Sequence, residues 1–210
     1  MSLFVWKKYS SLTLDKGLNI EKIKKMEEVL HPSRRRTIVL IGMMGAGKTT
    51  TGFGLAQKLG IKFVDSDKEM EKAENLTTAE IFEKKGTTYF DNIERNIIKK
   101  MLRTTKPQVL SIGGNAYDDP EIRREIKEKA ISVFVDVDLD VLIRRVERRN
   151  NRPLLEGKDK AQTMTEIYNE KYPIYSTTDI VVNTTYLSKD TTINVIMQLI
   201  SDYINGYGKN

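Results

Sequence analysis

Short apolar runs alternate with longer amphipathic segments from Thr37 to near the end of the chain. The apolar runs have the length of buried strands, and the segments between them repeat their apolar positions at helical spacing. Strands that alternate with helices in this order predict an α/β fold, a five-stranded parallel sheet with helices on both faces. The predicted strands cover about residues 37–41, 61–64, 108–112, 131–135 and 180–182.

Capping residues mark where several of the helices begin. Thr77-Thr-Ala-Glu80 has the pattern of a capping box, and Asp119-Pro120 pairs a capping aspartate with a proline suited to the first helical turn. Asp138 is interpreted as the cap of the helix that follows it. The predicted helices run from about 48 to 59, from 77, from 86 to about 102, over 120–129, from 138 to about 149 and from 188.

Two segments stand apart from this alternation. Residues 1–33 are interpreted as an N-terminal extension, because Leu18–Leu30 has the pattern of one amphipathic helix and Pro32 then interrupts it. Residues 34–210 form the main domain. Within that domain the segment from about 150 to 160 is rich in charge and bounded by proline and glycine, so we expect a mobile loop there.

Composition limits the classes of protein that fit the chain. No apolar run approaches the roughly 20 residues that span a bilayer, so we expect no membrane segment. Cysteine is absent, which excludes disulfides and thiol chemistry and fits a cytoplasmic enzyme. The formal net charge of the 210 residues is +6. The densest basic cluster has no interleaved aromatic residues, so we expect a phosphorylated small molecule rather than nucleic acid as the partner.

The strongest chemical signal is Gly42-Met-Met-Gly-Ala-Gly-Lys48-Thr49, which directly follows the first predicted strand. This spacing is that of a nucleotide phosphate loop, in which glycines let several backbone N–H groups point at one phosphate. The following helix directs the positive end of its dipole to the same place. Lys48 can reach the terminal phosphates, and the Thr49 hydroxyl suits Mg²⁺. The residues expected to bind the nucleotide are Gly45, Ala46, Gly47, Lys48, Thr49 and Thr50.

Phosphoryl transfer also needs carboxylates near the metal ion and near the acceptor. Asp65-Ser-Asp67 follows the second predicted strand, and on an extended segment both carboxylates would lie on one side. Asp65 is then suited to hold a water molecule on Mg²⁺, and Asp67 to orient or deprotonate an acceptor hydroxyl. The alternative is a solvated turn in which Asp67 caps a helix.

A second acidic pair, Asp136 and Asp138, also follows an apolar strand and is a rival Mg²⁺ site. We favour a structural role for this pair. In that interpretation Asp136 ends the strand, and Asp138 caps the helix that comes immediately after it.

The basic cluster between Arg144 and Arg152 supplies candidate cations for the nucleotide. Most of these arginines are interpreted as a solvated helix face, and one or two as nucleotide contacts. Closure of the loop over the nucleotide would bring Arg152 to the γ-phosphate and exclude water, which otherwise competes as the acceptor. The alternative is an ordinary surface loop.

Together these elements resemble the shikimate kinase family over about residues 36–185. The resemblance rests on the phosphate loop, Asp65-Ser-Asp67, Ile81-Phe82 before Gly86, Phe90 with Glu94, Gly113-Gly114, Arg152-Pro-Leu-Leu155 and Tyr172-Pro-Ile-Tyr175. It implies a phosphate-loop kinase fold like that of nucleoside monophosphate kinases, with a mobile lid. It also implies transfer of the γ-phosphate of ATP to the 3-hydroxyl of shikimate with Mg²⁺, in a monomer or weak dimer. Residues 34–210 are then the kinase domain.

The resemblance implies a role for each residue that matches a family motif. The catalytic roles fall to Lys48, Asp67 and Arg152. Mg²⁺ is held by Thr49 directly and by Asp65 through water. Arg145 falls where the family packs an arginine against adenine. The acceptor is bound by Asp67, Phe82, Phe90, Gly113, Gly114 and Lys171.

The chain departs from the family pattern at the acceptor end. Asp91 stands where the family has an arginine that holds the substrate carboxylate, and a carboxylate there repels it by about 1 kcal/mol or more at an effective dielectric constant of about 20. Asn115 replaces the third glycine of a run. Lys171 replaces a second arginine and loses its bidentate fork. The nucleotide-binding motifs are intact.

Three hypotheses for the function follow. In the first, Arg95 lies one helical turn after Asp91 and supplies a replacement cation, so that the enzyme still phosphorylates shikimate. In the second, the acceptor is a different small hydroxylated molecule that lacks a carboxylate. In the third, the chain is a nucleotide-binding regulatory protein without catalysis. Asp67 and Arg152 argue for chemistry, because nucleotide binding alone requires neither.

Overall fold

A computed structural model of the chain describes residues 37–148 and 159–204. One parallel sheet of five strands lies at its centre, with the strands in the order β2-β3-β1-β4-β5. The strands are β1 (Thr37–Ile41), β2 (Lys62–Asp65), β3 (Gln108–Ser111), β4 (Ala130–Asp136) and β5 (Ile180–Asn183). The predicted five-stranded parallel sheet is therefore confirmed, with small shifts at the strand ends.

The helices connect these strands and cover the sheet. Those that the structure describes are α1 (Lys48–Leu59), α2 (Ser66–Glu74), α3 (Thr78–Leu102), α4 (Pro120–Lys129), α5 (Leu139–Glu147), α6 (Lys160–Tyr175) and α7 (Lys189–Ile204). A short 3₁₀ helix, Ala116–Asp118, precedes α4. None of the described helices has both the length and the apolar character needed to span a membrane. The predicted extension over 1–33 and the predicted lid residue Arg152 lie outside the described residues.

The position of each helix follows from the direction of its crossover. The chain steps from β1 to β2 in one direction across the sheet, and from β3 to β4 and β5 in the other. Because such crossovers are right-handed, α1 lies on one face and α4 on the opposite face. α1 packs against β3 and α7, whereas α4 packs against β4 and α3. The prediction of helices on both faces is confirmed.

The capping predictions at Thr77 and Asp119 are confirmed. The Thr77 hydroxyl accepts the Glu80 backbone N–H at 3.2 Å, and the Glu80 carboxylate accepts the Thr77 backbone N–H at 2.9 Å. The Asp119 side chain accepts a backbone N–H of α4 at 2.8 Å. Asp138 precedes α5 as predicted, but its side chain does not cap that helix. Its Oδ1 instead accepts the side-chain amide of Asn183 at 2.9 Å.

The helices predicted from 77 and from 86 are confirmed, because the backbone of α3 is not helical at Gly86 (φ 78°, ψ 169°), where one helical segment ends and the next begins. Two helical features differ from the prediction. α6 is not predicted, because its polar and apolar residues are weakly separated and Pro173 lies inside it. The extended segment predicted through Asp67 is wrong. Asp65 accepts the Asp67 backbone N–H at 3.2 Å and thereby caps α2, so Asp67 lies in the first turn of a helix.

The core is built around the interior strands of the sheet and the close approach of α1. β1, β3 and β4 are buried along their whole lengths. The buried face of α1 includes Gly52, Gly54 and Leu55, whereas Phe53 is 58% exposed. A Cβ on Gly52 would lie 2.5 Å from the Phe63 ring. Glycine at this position therefore lets the helix lie closer to the sheet than a larger residue would.

The phosphate loop is positioned by a contact with the end of β4. Gly42 has a φ of 150°, and a Cβ on this residue would lie 2.7 Å from the carbonyl oxygen of Val135. The conflicting atom belongs to the backbone, so a change of side-chain rotamer does not relieve it. Close packing of Gly42 on β4 therefore determines where the loop leaves the sheet.

We expect Gly42→Ala to lower the free energy of unfolding by about 2–4 kcal/mol, because it adds overpacking to the cost of a positive φ. Gly60→Ala is the matched control, since Gly60 has a φ of 64° but nothing lies within 4 Å of the added methyl group. Its loss should be about 1–2 kcal/mol, from backbone strain alone. Urea denaturation measures both, and equal losses in the two variants would contradict the packing argument.

Candidate active site

The carboxyl ends of the parallel strands lie at one edge of the sheet, and the predicted site residues gather there. The phosphate loop follows β1, Asp65 ends β2, Gly113 and Gly114 follow β3, and Asn183 ends β5. Ligands of open parallel sheets bind at this edge. The fold therefore brings together segments that are far apart in the sequence.

The phosphate loop has the backbone conformation of an anion-binding loop. Gly45 and Gly47 have φ values of 83° and 91°, which glycine adopts without steric cost. The Ala46 backbone N–H donates to the Met43 carbonyl at 3.2 Å and closes the turn. The first turn of α1 contains no acidic residue, so no side chain within it opposes the positive end of the helix dipole. The loop can therefore receive a phosphate group.

Two of the predicted cations contact the phosphate loop. Lys48 Nζ donates to the carbonyl oxygens of Gly42 at 2.7 Å and Met43 at 3.2 Å. Arg145, from α5, donates through Nη1 to the carbonyl oxygen of Gly45 at 3.1 Å. Both cations lie at the loop where the nucleotide is expected. The third predicted cation, Arg152, lies outside the described residues.

The two predicted magnesium ligands are hydrogen-bonded to each other. The Thr49 hydroxyl donates to Asp65 Oδ2 at 3.0 Å, and Asp65 Oδ1 accepts the backbone N–H of Asp67. Hydroxyl and carboxylate oxygens are the hard donors that Mg²⁺ prefers. Protein sites for Mg²⁺ with phosphates use one or two side chains and leave the remaining positions to phosphate and water. This pair of oxygens therefore fits the metal that the phosphate loop implies.

Asp67 and Glu94 converge beside Gly113. A Cβ on Gly113 would lie 3.2 Å from Asp67 Oδ1 and would clash with Glu94 Oε1. The Gly113 backbone N–H donates to the Ser66 hydroxyl at 3.2 Å, which joins β3 to the start of α2. Glycine at position 113 therefore leaves room for both carboxyl groups at the same point of the site.

Glu94 has a strongly perturbed acidity. It is 6% exposed and lies on the same face of α3 as the buried Ile97 and Ile98. Burial raises the pKa of Glu94 to about 8, and the charges of Asp67 and Asp91 add to this effect. At neutral pH the group is therefore a neutral carboxylic acid. The sequence resemblance includes Glu94 in a motif but assigns it no function; its carboxyl group on a helix face of apolar residues is the signal that could have identified it.

The aromatic and glycine residues predicted at the acceptor end lie as follows. Phe82 and Phe90 form an edge-to-face pair across the kink of α3, with ring centroids 6.0 Å apart, and Phe82 is exposed. The Gly114 carbonyl accepts a hydrogen bond from the buried Tyr175 hydroxyl. The backbone next to the predicted acceptor position is therefore fixed by contacts from α6.

The charged residues predicted at the acceptor end are Lys171 and Asp91. Lys171, from α6, forms ion pairs with Asp118 and with Glu170, the latter at 3.0 Å. Sequence reasoning missed Asp118, because no local pattern distinguishes it from a surface aspartate. Asp91 is exposed on α3.

Arg95 is already paired with another part of the protein. Its Nε lies 2.5 Å from Asp119 Oδ2 and 3.6 Å from Glu121 Oε2, both at the start of α4. Its Nη1 also donates to Asn92 at 3.2 Å. The charge of Arg95 is therefore matched by these carboxylates. This pairing argues against the hypothesis that Arg95 replaces the family arginine.

The rival acidic pair forms a local network at the ends of β4 and β5. The Asn183 amide donates to Asp136 Oδ2 at 3.2 Å as well as to Asp138. Burial raises the pKa of Asp136, and the hydrogen bond from Asn183 opposes this effect. Asp136 ends β4 as predicted, and these contacts support a structural role for the pair, although the Asp138 side chain bonds Asn183 rather than capping α5.

Comparisons with known proteins agree with this geometry. A sequence model described as shikimate kinase matches residues 44–201. The chain is 35% identical to a shikimate kinase of Bartonella quintana over 189 residues, which cover 90% of this chain and 89% of that protein. It is 43% identical to a shikimate kinase of Caulobacter vibrioides over 155 residues, covering 74% and 77%.

A solved structure extends the similarity to three dimensions. The shikimate kinase of Acinetobacter baumannii in complex with shikimate matches this fold with a TM-score of 0.74 and 29% identity, covering 88% of this chain and 99% of that one. The family match begins within the phosphate loop, at residue 44, and includes Asp65, Asp67, Gly113 and Lys171. This chain therefore belongs to the shikimate kinase family.

Proposed function

We propose that the protein transfers the γ-phosphate of ATP to the 3-hydroxyl of shikimate. One observation carries the proposal: the Asp65 carboxylate bonds both the Thr49 hydroxyl at 3.0 Å and the Asp67 backbone N–H at 3.2 Å. It joins the nucleotide end of the site to the acceptor end. Membership of the shikimate kinase family supports shikimate as the acceptor. We also propose a cytoplasmic enzyme that acts as a monomer or weak dimer.

The nucleotide end binds and orients the triphosphate. The phosphate loop at Gly45, Ala46 and Gly47 and the dipole of α1 receive the phosphates, and Lys48 neutralises the terminal ones. Thr49 would hold Mg²⁺ directly and Asp65 would hold it through water, and the ion would supply charge neutralisation at the phosphates. Thr50 and Arg145 complete the nucleotide contacts, with Arg145 at the adenine. Arg152 is proposed as the lid cation at the γ-phosphate.

The acceptor end binds the substrate hydroxyl in line with the γ-phosphate. Asp67 accepts the proton of the 3-hydroxyl while the hydroxyl oxygen attacks the γ-phosphorus of ATP, and ADP leaves. Phe82 and Phe90 pack against the ring, and the backbone at Gly113 and Gly114 approaches it. Lys171 binds the carboxylate. The proposed acceptor site consists of Asp67, Phe82, Phe90, Gly113, Gly114 and Lys171.

A second candidate function is phosphorylation of a different small hydroxylated molecule. Asp91 and the Lys171–Asp118 ion pair favour it, because both reduce the positive charge available to a carboxylate. An assay of ADP release with ATP and Mg²⁺, with and without shikimate, tests the choice. We expect ADP release to depend on shikimate. Release that depends only on another polyol would support the second candidate, and no release with any acceptor would support a regulatory protein.

We expect Asp67→Asn to lower kcat about 10²–10⁴-fold, because general base catalysis contributes a factor of this size. The dissociation constant of ATP, measured by calorimetry, should be unchanged. Lys48→Ala should instead abolish ATP binding and turnover together. Asp140→Asn, on the exposed surface of α5, is the matched control and should alter neither quantity. A kcat within about twofold of the wild type in Asp67→Asn would exclude the proposed role.

The ionisation of Glu94 predicts a decline of activity in alkaline solution. We expect kcat/KM for shikimate to fall as the pH rises through about 8, because ionised Glu94 adds a negative charge beside Asp67 and the anionic acceptor. Glu94→Gln should remove this decline. Glu80→Gln should retain it, because hydrogen bonds from Thr77 and then Lys84 hold the pKa of Glu80 at about 2. A decline of the same size in Glu94→Gln would show that another group is responsible.

We expect Asp91→Arg to tighten shikimate binding, because it replaces a repelling charge near the acceptor carboxylate with an attracting one. The expected decrease in the dissociation constant is about tenfold or more, as for a change of about 1.4 kcal/mol. Asp91→Asn should give a smaller decrease, since it only removes the repulsion. Calorimetry with the ADP-bound protein measures both. Unchanged or weaker binding in Asp91→Arg would count against shikimate as the acceptor at this position.

A further inference from the structure

Lys171 is a basic residue of the acceptor end that lies almost wholly inside the protein. Its side chain is 11% exposed, and its ammonium is ion-paired with Asp118 and, at 3.0 Å, with Glu170. Burial works to lower the pKa of this ammonium, but the hydrogen bonds with Asp118 and Glu170 outweigh it, so the pKa is raised. Lys171 is therefore positively charged at neutral pH, and its charge is matched before an acceptor binds.

The two carboxylates that pair with Lys171 differ in their exposure to water. The Glu170 side chain is 69% exposed, so solvent screens its interaction with the ammonium. The Asp118 side chain is 24% exposed, and its Oδ1 is buried with no hydrogen-bond partner in the part of the chain that the structure describes. Solvent screens a buried carboxylate poorly. Asp118 therefore determines the electrostatic environment of Lys171 more than Glu170 does.

The path of the chain after β3 brings Asp118 to the acceptor end. Gly113 and Gly114 leave the strand beside Asp67, and the short 3₁₀ helix then turns the chain toward α6. Burial is the main cause of the raised pKa of Glu94, and the charge of Asp118 adds to it, so the two carboxyl groups act on each other. Asp118 thus belongs to the same electrostatic neighbourhood as the residues proposed to bind the acceptor.

We infer that Asp118 is a specificity-determining residue, which competes with the carboxylate of the acceptor for the ammonium of Lys171. The inference rests on the proposed function, in which Lys171 binds that carboxylate. An ammonium offers three donors, and two of them are already directed at Asp118 and Glu170. An acceptor carboxylate that bonds Lys171 must lie beside the Asp118 carboxylate. Because the two carry like charges, they repel each other.

The competition reduces the preference of the enzyme for a charged acceptor. With an unmatched cation at position 171, the protein would bind shikimate much more strongly than an analogue without the negative charge. With Asp118 present, much of this advantage is lost. Asp91 on α3 acts in the same direction. We therefore expect the wild-type protein to discriminate weakly between shikimate and its uncharged methyl ester.

The test compares shikimate with methyl shikimate, in which the ester removes the negative charge and keeps the ring hydroxyls. The ratio of the kcat/KM values for the two compounds is measured in the wild type and in Asp118→Asn, which keeps the shape of the side chain without its charge. We expect the ratio to shift toward shikimate by about tenfold or more. The KM for ATP should be unchanged, because Asp118 lies at the acceptor end of the site and not at the phosphate loop.

Glu170→Gln is the matched control, since it removes the exposed partner of the same ammonium. We expect it to change the ratio less than about twofold. In the double variant Asp118→Asn/Lys171→Gln, the ratio should not shift toward shikimate, because Asp118 influences the ratio through the Lys171 ammonium. An unchanged ratio in Asp118→Asn, or an equal shift in Glu170→Gln, would overturn the inference.

Two further measurements keep the test decisive. Asp118→Ala is a second variant for which the same shift is expected, and circular dichroism checks that each variant folds like the wild type. Calorimetric binding of both compounds to the ADP-bound protein gives the discrimination without turnover. If no form of the protein binds or phosphorylates either compound, the proposed function fails. Phosphorylation of both compounds with an unchanged ratio overturns only the role of Asp118.

Discussion

The site depends on one carboxylate, that of Asp65, which bonds both of the segments that carry the chemistry. Its Oδ2 accepts the Thr49 hydroxyl at the start of α1, and its Oδ1 accepts the Asp67 backbone N–H at the start of α2. The first bond places two hard oxygen donors side by side next to the phosphate loop. The second begins a helix at the end of β2, and therefore sets the position of Asp67. The distance between nucleotide and acceptor groups follows from this one side chain.

How much of the site the sequence predicts depends on how local its determinants are. The residues of the phosphate loop are contiguous in the sequence, so their spacing alone locates the loop. The contact of its first glycine with the backbone of β4 is visible only in the structure. The position of Asp67 is not predicted correctly, because a capping hydrogen bond to the Asp65 side chain begins a helix where the sequence predicts an extended segment. α6 escaped prediction because Pro173 and a mixed polar pattern conceal a helix that tertiary contacts stabilise. The Lys171–Asp118 pair joins residues 53 positions apart, and no local pattern reveals such a contact.

The acceptor end shows how a family fold accommodates a change of charge. Asp91 brings a carboxylate to α3, while Lys171 on α6 lies against Asp118 and Arg95 lies against Asp119. Each of these two cations is therefore paired with a carboxylate from the segment between β3 and α4. Burial raises the pKa of Glu94 to about 8, and the charges of Asp67 and Asp91 add to this effect. Because Lys171 and Arg95 are paired internally, less positive charge remains for an anionic acceptor.

This division of the site suggests which kinetic quantity each end controls. Rate in phosphoryl transfer depends on alignment and charge neutralisation at the reacting phosphate, and we propose that the phosphate loop, Thr49, Asp65 and Asp67 provide both. In the same proposal, Lys171 interacts with a part of the acceptor that does not react. These interactions are present in the ground state and in the transition state alike, so they act on KM rather than on kcat. Substitutions at the acceptor end can therefore alter which molecule is bound while the alignment at the reacting phosphate is maintained. For this reason altered residues such as Asp91 can coexist with an intact nucleotide end in one protein.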